Sequence, residues 1–231
     1  MTAGDSVAVI GDFSPTAVAV LVALVQLRCI LVPLARESRD QHDQFLGIAE
    51  VDFVVRIDEA DRGTVTRTDF RRNHPLLTTL RERDEAGLVL FSSGSTGKPK
   101  AILHPLPQLL EKFRKPRHCY RTVTFLLFDH IGGFNTLFYT LANLGCIVAP
   151  EDRSVNKVCR AIERHRAELL PTSPSFLNLL LLGDVYRDYD LSSLRLVTYG
   201  TEVMPERTLE RLAEALPGVR LQQTYGLSEL G

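Results

Sequence analysis

Short apolar strand-like runs alternate with helix-length segments along almost the whole chain, and this alternation limits the fold more than any other feature. Residues 6–10 (SVAVI) read as a buried strand. Ser14-Pro15 follows, an N-cap and a first helical residue. The helix expected from Pro15 to about Leu27 is apolar almost all round, so it should be deeply packed. Residues 30–32 read as a second strand, 38–50 as a more polar helix and 52–57 as a third strand. Residues 58–75 are polar and non-periodic and read as a surface excursion. Residues 87–91 (GLVLF) form another buried strand that runs into a Ser/Gly/Thr loop, and 101–104 can leave that loop as a strand. Residues 109–117 carry Lys112, Arg114, Lys115 and Arg117, expected on a solvated helix face. A second series follows, with strands over 122–127, 146–149, 168–170, 194–199 and 220–224. Helices are expected over 133–144, 155–165, 175–182 and 205–216, the last with Gly218 after its end. Strands alternating with helices of this length argue for an α/β fold with a parallel sheet covered on both faces.

Composition excludes several classes. Of 231 residues, 45% are hydrophobic and 24% charged, ordinary for a globular chain able to bury a core. The 27 basic and 28 acidic residues give a net charge of −1. No bulk field draws nucleic acid or a membrane surface, so any anion must be held by a local site. The longest apolar stretch, 17–34, contains Gln26 and Arg28 and ends near Pro33. A membrane span needs about 20 apolar residues with few charges, so no span is expected there, but a helix followed by a strand. The start, MTAGD, lacks the basic region of a signal peptide. Cys29, Cys119, Cys146 and Cys159 are scattered without a CxxC pair and read as reduced thiols of a cytoplasmic protein.

The loop 92–100 (SSGSTGKPK) carries the first sign of chemistry. Gly94 and Gly97 let the backbone turn with positive φ and approach a ligand closely. Successive N–H groups in such a turn form an anion-binding concavity. Ser92, Ser93, Ser95 and Thr96 add hydroxyl donors, Lys98 and Lys100 add positive charge, and Pro99 stiffens the exit. Together they suit a polyphosphate. The P-loop pattern GxxxxGK[ST] fails at two defining positions, Ser92 and Pro99, the second being where a magnesium-binding hydroxyl belongs. A flexible linker would not usually sit between a buried strand and a second apolar segment.

The order of residues in SSGSTGKPK resembles the signature of the adenylate-forming superfamily, which includes acyl- and aryl-CoA synthetases, luciferases and peptide-synthetase adenylation domains. Ala101 stands where the family usually has glycine. Three further segments resemble that family in the right order. QTYGLSE (223–229) resembles its second nucleotide motif. There Thr224 and Tyr225 are implied to meet the nucleotide, Tyr225 offering a flat face to the purine. Gly226 is expected to permit a sharp turn, Ser228 to bond a phosphate oxygen and Glu229 to be the Mg²⁺ ligand. YGTEVMPE (199–206) resembles the adenine-holding loop, placing Gly200, Thr201 and Glu202 at the base, with Tyr199 where the family often has glycine. LFDHIGGF (127–134) resembles the acyl-pocket segment, making His130 the residue beside the substrate carboxylate, with Gly132 and Gly133 allowing a close ligand and Tyr199 also lining the substrate side. Amino-acid-activating members carry Phe-Asp nearby, and Phe128-Asp129 mimics it. Alignment on His-Ile-Gly-Gly instead puts Ile131 at that aspartate, which favours an acid without an α-amino group.

The resemblance implies two packed, mostly parallel sheets with helices on both faces, a layered αβαβα arrangement forming the N-terminal region of the adenylate-forming fold. Residues 1–118 would form a first subdomain ending with the phosphate loop and its return. Residues 119–231 would form a second with the adenine and acyl sites. It also implies ATP and Mg²⁺, a small-molecule carboxylic acid, and coenzyme A as co-substrate, with an acyl-carrier protein as the other acceptor. His130 and Glu229 would take the catalytic roles. The family's ribose-binding aspartate, hinge and catalytic lysine lie beyond its second motif, so a C-terminal lid domain is expected to be absent here and this chain alone to make little or no adenylate. The alternatives are an amino-acid or carrier-protein adenylation domain, and a non-catalytic nucleotide-binding or interaction module.

Overall fold

A computed structural model describes residues 1–93 and 99–229. The chain divides into two compact units. The first is Met1–Arg114 with Leu127–Ile131 and the described residues from Ser228 onward; the second is Lys115–Leu126 and Gly132–Leu227. Leu127–Ile131 and Ser228 thus return to the first unit, which a single boundary in the sequence does not express.

The first unit is built on a six-stranded sheet. Its strands are β1 (Ser6–Gly11), β2 (Ile30–Ala35), β3 (Phe53–Ile57), β4 (Gly63–Arg67), β5 (Gly87–Ser93) and β6 (Pro99–Pro105), in the order β4-β3-β1-β2-β5-β6. The four inner strands β3, β1, β2 and β5 run parallel, and β4 and β6 are antiparallel edges. Strands covered on both faces read as continuous apolar runs. Every residue of β1 and β2 is buried accordingly. Pro33 lies inside β2, yet it breaks nothing. Ile30 N–H bonds Asp5 of the β1 side, so the amides two and four further on also face β1 while position 33 faces β5. The β2–β5 register runs only through Ile30–Gly87 and Leu31–Leu88, so no ladder bond is lost at Pro33.

Helix α1 (Pro15–Gln26) begins where the sequence places it, with Ser14 Oγ accepting from Ala17 N at 3.1 Å. Asp61 also accepts from Thr16 N, so the excursion after β3 closes over this helix N-terminus. The more polar helix is shorter than expected: α2 covers His42–Ile48, and Arg36–Gln41 forms tight turns instead. Ser38 Oγ bonds Ala35 O at 3.0 Å, a local bond that competes with the helical ladder. The stretch 58–75 is not wholly irregular. It contains β4, exposed along its whole length, and it leads into α3 (Pro75–Glu82). A strand that buries nothing shows no apolar period, and only its β-branched Thr64-Val65-Thr66 marks it. The basic segment 109–117 is not a helix either. A short α4 (Leu106–Leu110) and one turn at Glu111–Phe113 precede an irregular run, and Pro116 opposes helix in the residue before it.

In the second unit a five-stranded sheet is parallel throughout its described ladders. Its strands are β7 (Arg121–Val123), β8 (Cys146–Val148), β9 (Leu169–Thr172), β10 (Leu196–Tyr199) and β11 (Arg220–Gln223), ordered β11-β10-β9-β7-β8. The helices are α5 (Ile131–Ala142), α6 (Val155–His165), α7 (Pro174–Leu182) and α8 (Glu206–Ala215). Val158, Ile162, Leu177, Leu180, Val197 and Leu212 form its core. The strand expected over 122–127 stops at Val123, because Leu127–Ile131 leaves for the first unit. The four cysteines are free, Cys29 and Cys159 buried and Cys119 and Cys146 exposed. Among the described residues no helix is long and apolar enough to cross a membrane.

Long-range charge pairs tie 70–81 to the strand starts of the first unit. Arg72 bonds Asp5, just before β1, and Asp52, just before β3, the latter at 2.8 Å. Arg81 Nε donates to Gly4 O at 3.0 Å. Burial pushes the Asp5 carboxyl up, but hydrogen bonds from Thr2 and Arg72 outweigh it and the net shift is downward. Asp5 therefore adds stability above its unfolded pKa of about 3.9, and that stability is lost as pH falls through its lower folded value. Asp5→Asn should flatten the acid limb of stability against pH in urea denaturation, and Arg72→Ala should cost about 1–3 kcal/mol at neutral pH. An Asp5→Asn curve that overlays the parent's below pH ~4 would contradict the assignment.

Candidate functional site

In the first unit, β5 and β6 form an antiparallel arm that pairs Ser92 with Lys100 and Ser93 with Pro99. The loop between them holds Gly94, Ser95, Thr96, Gly97 and Lys98, which lie outside the described residues. Ser92 is half-buried and Lys100 exposed. Deeply buried Leu88 and Leu90 anchor the arm. His104, near the end of β6, is 8% exposed, and its Nε2 donates to Ser228 O at 2.7 Å. One partly buried hydrogen bond thus joins β6 to the turn at Ser228. Ser228 is half-buried and Glu229 is exposed in the turn beyond it. Sequence reasoning missed His104, since nothing near a lone histidine on a strand announces a partner so distant in the chain.

Leu127–Ile131 docks at the carboxyl ends of β1 and β2. The chain passes from β1 to β2 on one side and then to β3 on the other, so this is the switch point of the sheet, where such folds open a crevice. Here the chain fills it. Phe128 is fully buried and meets Phe13 edge-on at 5.4 Å. Asp129 Oδ2 accepts from Ala35 N at 2.9 Å. Burial pushes the Asp129 carboxyl up, partly offset by His130 and by the Ala35 hydrogen bond. The side chain of His130 is 64% exposed, with Nε2 at 3.8 Å from Asp129 Oδ1.

In the second unit the loops after β10 and β11 meet. Thr224 N donates to Tyr199 O at 2.7 Å, and Thr224 Oγ1 donates to the same oxygen at 3.1 Å. Gly200 lies against this crossing: a Cβ there would stand 2.7 Å from both the carbonyl oxygen and the hydroxyl of Thr224. Thr201 has φ of +70°, a costly conformation for a β-branched residue and one found where structure is held for function. Glu202 accepts from Ser175 N at 3.2 Å and from its hydroxyl, so its carboxylate caps α7. The Tyr199 ring is 5% exposed within the core, leaving its carbonyl as the group at the loop. Tyr225 is 88% exposed. Gly226 is not in the left-handed region, and a Cβ there would meet nothing within 4 Å, so the turn itself does not demand glycine. At the start of α5, Gly133 is buried and a Cβ on Gly132 would press Leu126 Cδ1 at 2.9 Å, so the pair is used for internal packing. Among the described residues no group of three or more His, Cys, Asp or Glu side chains forms a metal-binding set.

Comparison with known proteins decides the family. The model of the family described as AMP-binding enzyme matches residues 1–231. The chain belongs to that family. Among its curated relatives, the 4-chlorobenzoate–CoA ligase of Pseudomonas sp. (strain CBS-3) is 30% identical over 159 residues, covering 64% of this chain and 30% of the ligase. The 4-coumarate–CoA ligase-like 5 protein of Oryza sativa subsp. japonica is 29% identical over 194 residues, covering 76% of this chain and 36% of that protein. The chain spans well under half the length of the curated relatives it matches. Among solved structures, the N-terminal subdomain of Klebsiella oxytoca NpsA, in complex with 3-hydroxyanthranilyl-AMSN, aligns with a TM-score of 0.78 at 18% identity, covering 99% of this chain and 62% of that one. Two mostly parallel sheets with helices are thus the N-terminal fold of adenylate-forming AMP-binding enzymes.

Gly200→Ala should force the β10 and β11 loops apart and lower stability by about 1–3 kcal/mol in chemical denaturation. An unchanged midpoint would show that the crossing has room for a methyl group.

Proposed function

We propose that this AMP-binding chain carries the nucleotide-binding part of an ATP-dependent acid–thiol ligase. In the first step a carboxylate oxygen attacks the α-phosphorus of ATP, the bond from that phosphorus to the α–β bridging oxygen breaks, and pyrophosphate leaves as the acyl-adenylate forms. A thiol, that of coenzyme A, then takes the acyl group and releases AMP. The observation that carries this reading is the crossing of Gly200 and Thr224 beside the strained Thr201, at the carboxyl ends of neighbouring parallel strands. It falls on the segments whose sequence resembles the family's adenine-holding loop and its second nucleotide motif.

The roles follow from chemistry. Backbone groups of Gly200, Thr201 and Glu202 edge the adenine, and the exposed Tyr225 ring covers its face, with Thr224 and Gly226 shaping that loop. Ser92, Ser93, Gly94, Ser95, Thr96, Gly97, Lys98 and Lys100 cradle the β- and γ-phosphates, and Ser228 lies toward the α-phosphate. Glu229 offers an exposed carboxylate next to Ser228, which fits Mg²⁺ held mainly by phosphate oxygens and water. When bound, that ion neutralises phosphate charge. His130 serves the acyl side.

Asp129 bears on the choice of acid. One of its oxygens, Oδ2, is engaged by Ala35 N–H at the end of β2, and the alignment puts Ile131, not Asp129, at the position of the amine-holding aspartate. This supports an acid without an α-amino group. The relatives named as CoA ligases of 4-chlorobenzoate and of the 4-coumarate type support an aromatic acid and coenzyme A as acceptor, with a carrier protein as the other acceptor.

Calorimetric titration with ATP tests the reading. The parent chain should bind ATP more tightly with Mg²⁺ than without. Lys98→Ala should weaken binding about tenfold or more, the cost of one charge-assisted contact. Glu229→Ala should abolish the Mg²⁺ dependence and leave metal-free binding unchanged. No ATP binding by the parent would favour a non-catalytic module.

A further inference from the structure

Asp129 and His130 are adjacent in sequence but lie in opposite environments. The Asp129 side chain is 14% exposed and that of His130 64%. Oδ2 of Asp129 is satisfied by Ala35 N–H, while Oδ1 has no hydrogen-bond partner among the described residues. A buried carboxylate oxygen left without a donor costs of order 1–3 kcal/mol, so a donor nearby should be drawn to it. The nearest ring nitrogen is His130 Nε2, at 3.8 Å and beyond hydrogen-bond range. His130 is exposed and free to rotate that small distance. The carboxylate is not, because Ala35 sits at the end of β2 and Phe128 is wedged against Phe13. Glu37 acts on Asp129 as a like charge and cannot supply the missing donor.

We propose that Asp129 is a positioning residue for His130: docked in the switch point of the sheet, its Oδ1 accepts a hydrogen bond from Nε2–H of His130 and so leaves Nδ1 as the ring nitrogen turned to the acyl side. A carboxylate that accepts from one imidazole nitrogen fixes both tautomer and ring orientation. The proposal rests on the reading of His130 as the acyl-side residue, and it gives that residue a defined face. It also gives Phe128-Asp129 a use other than binding a substrate amine.

The ring nitrogens of His130 report this directly in long-range ¹H–¹⁵N spectra of the ¹⁵N-labelled chain at mildly alkaline pH, with His130→Gln assigning the signals. In the parent, Nε2 should carry the proton and exchange it slowly with water. Asp129→Asn can still offer an oxygen to Ala35 N–H, but it turns an amide donor toward Nε2, so the proton should move to Nδ1 while the Ala35 amide stays protected. Asp129→Ala should lose the slow Nε2 proton altogether. A parent protonated on Nδ1 overturns the proposal without any variant, as do ring spectra that are the same in the parent and both variants. No nucleotide or acid is present in these spectra. They therefore stand if the ligase reading fails, and ATP titration stands if they fail.

Discussion

Parallel strand pairing is the constraint from which the rest of the molecule follows. Two parallel neighbours cannot be joined by a tight turn, so each pair needs a crossover, here mostly a helix. All parallel strands in a sheet then end on one edge, and the loops that leave them collect there. In the first unit that edge carries the end of β2 at Ala35 and the end of β5 at Ser93. In the second it carries the ends of β10 and β11, where Tyr199, Gly200 and Thr224 meet. Open α/β sheets bind ligands at this edge. The apolar faces hold the strands in place, and the loop residues are released from packing to do chemistry.

Tying those loops down falls to a few polar contacts, most of them partly buried, between residues far apart in sequence. Arg72 fastens the chain after β4 to Asp5 and Asp52, Asp129 fastens 127–131 to Ala35, and His104 fastens the turn at Ser228 to β6. Losing one side of such a bond leaves a partly buried polar group without its partner, which makes the contact specific in geometry. The tips themselves carry exposed groups such as Tyr225, Glu229 and His130.

Much of this was legible in the sequence where burial drives the pattern. The apolar runs of β1 and β2, the Ser14-Pro15 start of α1 and the strongly amphipathic α6 were all readable from periodicity and caps, and α6 has the expected bounds. Exposed elements were not readable, because β4 buries nothing and so shows no apolar alternation. Segments that change partners were read too long: 122–127 is apolar enough for a strand throughout, but its far end is spent in another unit. For the candidate site, motif order named the loops, but side-chain duties needed coordinates. Glu202 is drawn to the start of α7, the ring of Tyr199 is in the core, and Asp129 serves the backbone of β2. Long-range partners of that kind leave no local mark, and for His104 there was no signal at all.

The central claim is that the loops following β10 and β11 hold the adenine of ATP. Photolabelling the chain with 8-azidoadenosine triphosphate, followed by peptide mapping, tests it most directly. The account predicts label within 199–202 or 224–226, removed by excess ATP. Label that maps reproducibly to other segments and competes with ATP there would contradict it.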